Sequence, residues 1–268
     1  MFRSFGLALI GLLHPRIIWL TFRPFILLSL LWGILFYFIW EKSIAIMSDL
    51  ITNSFITSWL ADLMTTAGWD ELRAVVAPLL FVGLLIPIIT ISLLIFIAFT
   101  SVPGVVKHLS KQKHYLSMYE AKGGGLIGSI GYSFISILIC LVLLLLTLPF
   151  WWMPPMVAII PPLLWGWLTM RLMTYDVLAQ HASADERAVL ISKHKWTLLI
   201  MGVISGLLGA VPTFFWATSA FALVFFPLVS FFALWVYSMV FIFSTLWFAH
   251  YLLEELRLER LNGVIDVS

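Results

Sequence analysis

Residues 123–170 contain no Asp, Glu, Lys or Arg, and residues 196–253 contain none either. A helix built from such a run offers no charged face to water, whereas a helix at the edge of a soluble core needs one polar side. Stretches of forty-eight and fifty-eight uncharged residues are stable in a hydrocarbon solvent, where about 20 apolar residues make one helical crossing. The chain is therefore read as an integral membrane protein of the all-α class.

Composition agrees. Hydrophobic residues make up 62% and charged residues 10%, with a mean hydropathy of +1.08, against roughly 25% charged in soluble domains. The 268 residues allow about six spans of roughly 20 residues with their connections. No segment is polar and long enough for a separate aqueous domain, so residues 1–268 are expected to form a single membrane domain. The apolar run 5–13 ends in His14-Pro15-Arg16 without the small-residue cleavage site of a secretory signal. Cys140 is the only cysteine, which excludes an internal disulfide and a cysteine-based metal cluster. There is no His-Glu-x-x-His, no Gly-x-Ser-x-Gly and no pair of aspartates within an apolar run. No catalytic residue, metal, cofactor or nucleic-acid partner is expected.

Residues 24–40 read as the first span, with Pro24 at its start. Beyond it, Met47, Leu50, Ile51, Phe55, Trp59, Leu63 and Met64 follow helical spacing opposite Asp49, Asn53, Thr57 and Asp62, as in a helix lying in the interface. Residues 74–106 give a long second span, tilted or kinked at Pro87. After a break at Pro103-Gly104, Val105, Val106, Leu109 and Leu116 oppose Lys107, Lys111, His114 and Lys122, a second amphipathic segment suited to anionic headgroups. Residues 125–148 form a third apolar segment. Its return is interrupted by Pro149, Pro154, Pro155, Pro161 and Pro162, leaving about eleven residues before Tyr175, roughly half the ~30 Å core at ~1.5 Å each. Pro212 and Pro227 divide the 196–253 block in the same way. Both blocks are expected to be helical hairpins whose tips stop inside the bilayer, with ordinary full-length hairpins as the alternative. The polar stretch 176–195 lies outside the hydrocarbon.

Two full crossings followed by two returning hairpins would collect thirteen of the fifteen basic residues on one side and leave Lys42 and Arg73 on the other. The positive-inside rule then places both termini in the cytoplasm. Trp40, Trp69, Trp151, Trp152, Trp196 and Trp216 fall near span ends, where amphipathic rings anchor.

Charge at the membrane boundary marks candidate sites. Arg16 and Arg23 precede or flank Pro24 and offer two guanidinium groups to an oxyanion, or serve as positive-inside anchors. Lys122-Gly123-Gly124-Gly125 leaves helix amides exposed beside a cation, an anion-binding arrangement in principle, or a hinge. Arg171 and Asp176 flank Tyr175 as a possible gate or structural pair, or snorkel to the interface. His250 is the one histidine inside a long apolar block and the place for a proton-relay role.

The order of these features resembles the CysZ sulfate permease family, with its relatives named after an etoposide-induced eukaryotic membrane protein. The likeness covers most of the chain. It rests on Pro15-Arg16 to Arg23-Pro24, on Ser101-Val102-Pro103, on the proline-divided hairpin reaching Tyr175-Asp176, on Ser192-Lys193-His194-Lys195, and on Gly202, Gly206, Pro212 and Pro227. The resemblance implies a bacterial inner-membrane protein with two long transmembrane helices and two pairs of partly penetrating helices, assembled as a homo-oligomer and passing sulfate inward. Where the permeases carry an adjacent arginine pair associated with sulfate, this chain has Ile18 and Trp19.

The expected function is a permease or channel for a small inorganic anion, sulfate first, with membrane lipids and further copies of the chain as partners. Substrate contacts are assigned to Arg16, Arg23, Lys122, Gly123, Gly124 and Gly125. The rivals are a non-transporting scaffold that holds lipid or assembles another complex, and a proton-coupled carrier using His250.

Overall fold

A computed structural model describes residues 1–53, 85, 88–89, 91–93, 95–97, 100–109, 124, 126–219 and 226–261. Nearly all the described residues are helical, with no strand among them. The helices are α1 (Phe2–Leu12), α2 (Pro15–Asn53), α3 (Leu126–Thr147), α4 (Pro154–Leu178), α5 (Ala184–Ser219) and α6 (Phe226–Leu261). A further helical segment covers Ile91–Leu109, and a 3-10 turn, Leu148–Trp152, links α3 to α4. Among the described residues, five stretches are long and apolar enough to cross a membrane: Pro15–Ile46, Ile91–Leu109, Gly128–Trp152, Ala184–Pro212 and Phe232–Leu261. The chain divides into two compact units, Met1–Arg23 with Phe96–Ser268, and Pro24–Ile95.

The core of the first unit is the C-terminal half of α6. Ile242, Leu246, Phe248, Ala249, Leu252, Leu253 and Leu256 are fully buried there, with Trp247 1% exposed. Phe5 of α1 meets Phe243 and Trp247 edge-on at 5.3 and 5.0 Å between ring centroids, the geometry favoured by the ring quadrupoles. Against its other sides stand α4 and α5, which approach each other at backbone distance. A Cβ on Gly166 would lie 2.7 Å from the Val203 Cα, and one on Gly202 would collide with the Gly166 carbonyl oxygen. Gly202 and Gly206 are spaced as in the Gly-x-x-x-Gly pattern that lets membrane helices touch without intervening side chains.

α5 begins with a capping box. The Glu186 amide donates to Ser183 Oγ at 3.2 Å, and the Ser183 amide donates back to Glu186 Oε2 at 2.7 Å, which satisfies two of the otherwise orphaned donors at a helix start. The helix kinks at His194, where φ is −109° and ψ is 16°. Tyr251 Oη lies 2.9 Å from His194 Nδ1, and Glu255 lies 3.7 Å from its Nε2. A set of ion pairs clasps α5 to the end of α6. Arg260 grips Glu186 through Nε and Nη2 at 2.7 and 2.9 Å and donates to the His181 carbonyl at 2.8 Å, and Lys193 pairs with Glu259.

In the second unit, Trp32 Nε1 donates to Ser92 Oγ at 3.0 Å, and the rings of Trp32, Phe36 and Trp40 follow one another at 6.2 and 6.3 Å.

Several prolines expected to break helices lie inside them. Pro161 and Pro162 sit within the 25 residues of α4, and Pro212 within the 36 of α5. At ~1.5 Å per residue α4 is about 37 Å long, so the argument that proline shortens the return to half the bilayer does not describe the observed helix. Residues 100–109 are helical through Pro103-Gly104. Pro24, expected at a helix start, is inside α2, where its missing amide frees the carbonyl four residues back. That carbonyl belongs to Leu20, and Ser101 Oγ donates to it at 3.0 Å. A neighbouring helix thus supplies the hydrogen bond that proline removes, as membrane helices require. The expected interfacial helix at 44–64 continues α2 as far as Asn53. Its remainder, and the basic face beyond residue 109, lie outside the described residues.

Candidate functional site

On α4, Trp167, Arg171 and Tyr175 recur every four residues and so share one face. α3 brings Tyr132 against that face. The Tyr132 and Tyr175 rings stack at 4.6 Å with an interplanar angle of 21°. The Arg171 guanidinium carbon lies 4.8 Å from the Tyr132 ring centre and 4.9 Å from that of Trp167, while Nε donates to Tyr132 Oη at 3.0 Å. On the other tyrosine, the guanidinium carbon of Arg187, from α5, lies 4.3 Å from the ring centre of Tyr175. Each cation is attracted by the negative face of a ring, an interaction of about 0.5–2 kcal/mol.

The glycines of the α3 approach make this packing possible. A Cβ on Gly128 would stand 2.7 Å from Tyr175 Oη, and one on Gly124 would stand 3.1 Å from the same oxygen and 3.3 Å from the Ala179 Cβ. The expected anion-binding Lys122, Gly123 and Gly125 lie outside the described residues. Of that motif only Gly124 is placed, and its neighbours are α4 side chains rather than an open surface.

Arg171 and Asp176 do not pair with each other. Five residues apart on α4 they point well away from one another, and each has its own partner: Arg171 takes Tyr132, and Asp176 accepts a hydrogen bond from Ser129 of α3 at 2.5 Å. Both interactions tie α4 to α3, so the residues hold the hairpin together separately.

Beside Arg171 a half-open cavity of about 400 Å³ is lined by Tyr132, Trp167, Met170, Arg171, Thr174, Ala188, Ile191 and Ser192. Thr174 is fully buried and its hydroxyl has no hydrogen-bond partner among the described residues. Arg187 Nη1 is likewise buried without a partner among the described residues.

Arg16 and Arg23 both lie on α2, seven residues apart. Seven residues are close to two helical turns, so the two side chains emerge on one face about 10 Å apart along the axis. Both are exposed. Beside Arg16, the His14 and His108 rings stand 5.1 Å apart. His250 is buried in α6, 6% exposed, and its Nδ1 has no partner among the described residues.

The charge distribution separates two groups of residues. Glu186, Glu254 and Glu259 are engaged by Arg260, Arg257 and Lys193. Arg16, Arg23, Arg171 and Arg187 have no carboxylate partner among the described residues. Buried clusters of His, Cys, Asp and Glu able to hold a metal are absent among the described residues.

Tyr132, Trp167, Thr174 and Arg187 escape a reading of the sequence alone. The four-residue recurrence of Trp167, Arg171 and Tyr175 was the available signal. Nothing in the sequence pairs Tyr132 with Tyr175, or Arg187 with either.

No curated protein and no solved structure matches the chain. The family model described as sulfate transporter CysZ/etoposide-induced protein 2.4 matches residues 4–219, from α1 to the end of α5 and well over half of the sequence. This polytopic helical membrane protein therefore belongs to the sulfate transporter CysZ and etoposide-induced protein 2.4 family.

Proposed function

We propose that the protein is a permease or channel for a small inorganic anion, sulfate before others, acting as a homo-oligomer in a bacterial inner membrane with both termini in the cytoplasm. Family membership supports a transporter-like role. The observation that carries the anionic substrate is the pair of exposed guanidinium groups on Arg16 and Arg23, which have no carboxylate partner among the described residues. A guanidinium offers five fixed donors matched to an oxyanion. Arg16 and Arg23 are the substrate contacts in this reading, joined by Lys122 and the glycines that follow it.

The test is uptake of labelled sulfate by proteoliposomes, with other inorganic anions as competitors. Replacing Arg16→Ala together with Arg23→Ala is expected to lower uptake by about tenfold or more, the loss of one to two charge-assisted hydrogen bonds. Unchanged uptake in that variant would remove both residues from the site. Background flux in the parent protein for every anion tried would favour the scaffold reading instead. Orientation is tested by labelling Lys42→Cys in a Cys140→Ser background, with reaction expected from outside the cell.

A proton-coupled version of this reading has one observation in its favour, the buried His250 with its unpartnered Nδ1. Uptake that is equally pH-dependent in His250→Ala and the parent would eliminate it.

A further inference from the structure

We propose that the cavity between α3, α4 and α5 is a binding site for a tetrahedral oxyanion, held by the Arg171 guanidinium and the Thr174 hydroxyl, with the phosphodiester of an anionic phospholipid as its main source. The site stands apart from the Arg16 and Arg23 contacts and does not depend on transport.

Three observations converge on it. Arg171 is fixed by Nε on Tyr132 Oη and by the flanking rings of Tyr132 and Trp167. Its two terminal nitrogens have no partner among the described residues, so a pre-oriented pair of donors remains available. Thr174 is fully buried and belongs to the cavity lining, and its hydroxyl has no partner among the described residues; a buried polar group without a partner is costly unless something fills the role. Ser192 Oγ also lines the cavity, though its proton goes to the Val189 carbonyl at 2.9 Å, so it is left to accept rather than donate. The one carboxylate close by on α4, Asp176, is held by Ser129, while Arg187 places a second positive charge across the tyrosine stack.

Size and lining favour a lipid headgroup over a bare ion. At about 400 Å³ the half-open cavity is larger than a small inorganic oxyanion needs. Trp167, Met170 and Ile191 add apolar wall suited to a glycerol backbone. α3 alongside exposes Phe134, Ile135, Leu138 and Leu141, the kind of surface on which acyl chains lie.

The test uses the full-length protein in a neutral detergent, reading thermal unfolding while phosphatidylglycerol, sodium sulfate or sodium chloride is titrated at matched ionic strength. Phosphatidylglycerol is expected to stabilise the parent saturably, and Arg171→Gln is expected to weaken the half-saturating concentration by about tenfold. If Arg171→Gln fails to fold, Thr174→Val and the cavity-filling Ala188→Phe serve instead, the first weakening and the second abolishing the response. Saturable stabilisation by sulfate but not by phosphatidylglycerol, lost in the same variants, would keep the oxyanion site and assign it to a free ion. Equal responses to phosphatidylglycerol and sulfate in parent and variants, or a parent that responds to neither beyond the chloride control, would overturn the proposal.

Discussion

α3 and α6 are both apolar and both long enough to cross a membrane, yet only 11% of the most apolar window of Gly128–Trp152 is buried against 56% of that of Phe232–Leu261. The two share a solvent preference and differ in neighbours. α6 is enclosed by α1, α4 and α5, and its apolar residues pack against protein. α3 meets chiefly α4, through Cys140, Tyr132 and Ser129, and turns Phe134, Leu141, Leu145 and Leu146 outward. In lipid, exposure of a leucine costs little because acyl chains are as apolar as the side chain. Stability must therefore come from packing and polar pairing, which α6 has and α3 largely lacks.

The largest effect is expected where helices touch without side chains. Gly202→Leu would place a branched side chain against the Gly166 carbonyl, and the protein should fail to elute as a single species in detergent. A normal elution profile would mean that the α4–α5 crossing is looser than described. Trp247→Ala, in the enclosed part of α6, should lower unfolding stability in detergent by about 3–5 kcal/mol through the cavity it leaves. Glu186→Ala removes the carboxylate that Arg260 grips, with 11% of the Arg260 side chain exposed, and a loss of about 3 kcal/mol is expected. A double-mutant cycle with Arg260→Ala would recover part of that loss if the pair interacts as described. At the small end, Leu145→Ala on the outer face of α3 should change stability by no more than about 0.5 kcal/mol. A loss comparable to that of Trp247→Ala would show that this face is covered by protein, as in an oligomer, and the contrast between the two helices would disappear.

The membrane class and the all-helical fold were legible because two charge-free runs admit few alternatives. Helix ends were not. Pro161, Pro162 and Pro212 read as interruptions, since the sequence around a proline does not say whether another helix will satisfy the freed carbonyl. For Pro24 that service comes from Ser101, eighty-one residues from Leu20 in the chain. The candidate site was legible in part. Arg16 and Arg23 kept a common face, because a seven-residue spacing sets it locally. Arg171 and Asp176, read as a possible gate or structural pair, each take a separate partner, Tyr132 and Ser129, because both partners arrive from α3. The α5 cap was fully encoded in Ser183-Ala184-Asp185-Glu186, though the Arg260 that completes it comes from the far end of α6.

The Gly166–Gly202 crossing makes a fulcrum. There α4 and α5 meet backbone to backbone, with the Val203 side chain seated against Gly166, so a tilt of one helix on the other would pivot at that point. Arg187 lies fifteen residues from Gly202 along α5, beyond the kink at His194, at most about 22 Å of helix away, so a ten-degree tilt would swing it by up to about 4 Å. That travel is enough to carry the guanidinium off the face of Tyr175 and loosen the aromatic stack that steadies Arg171.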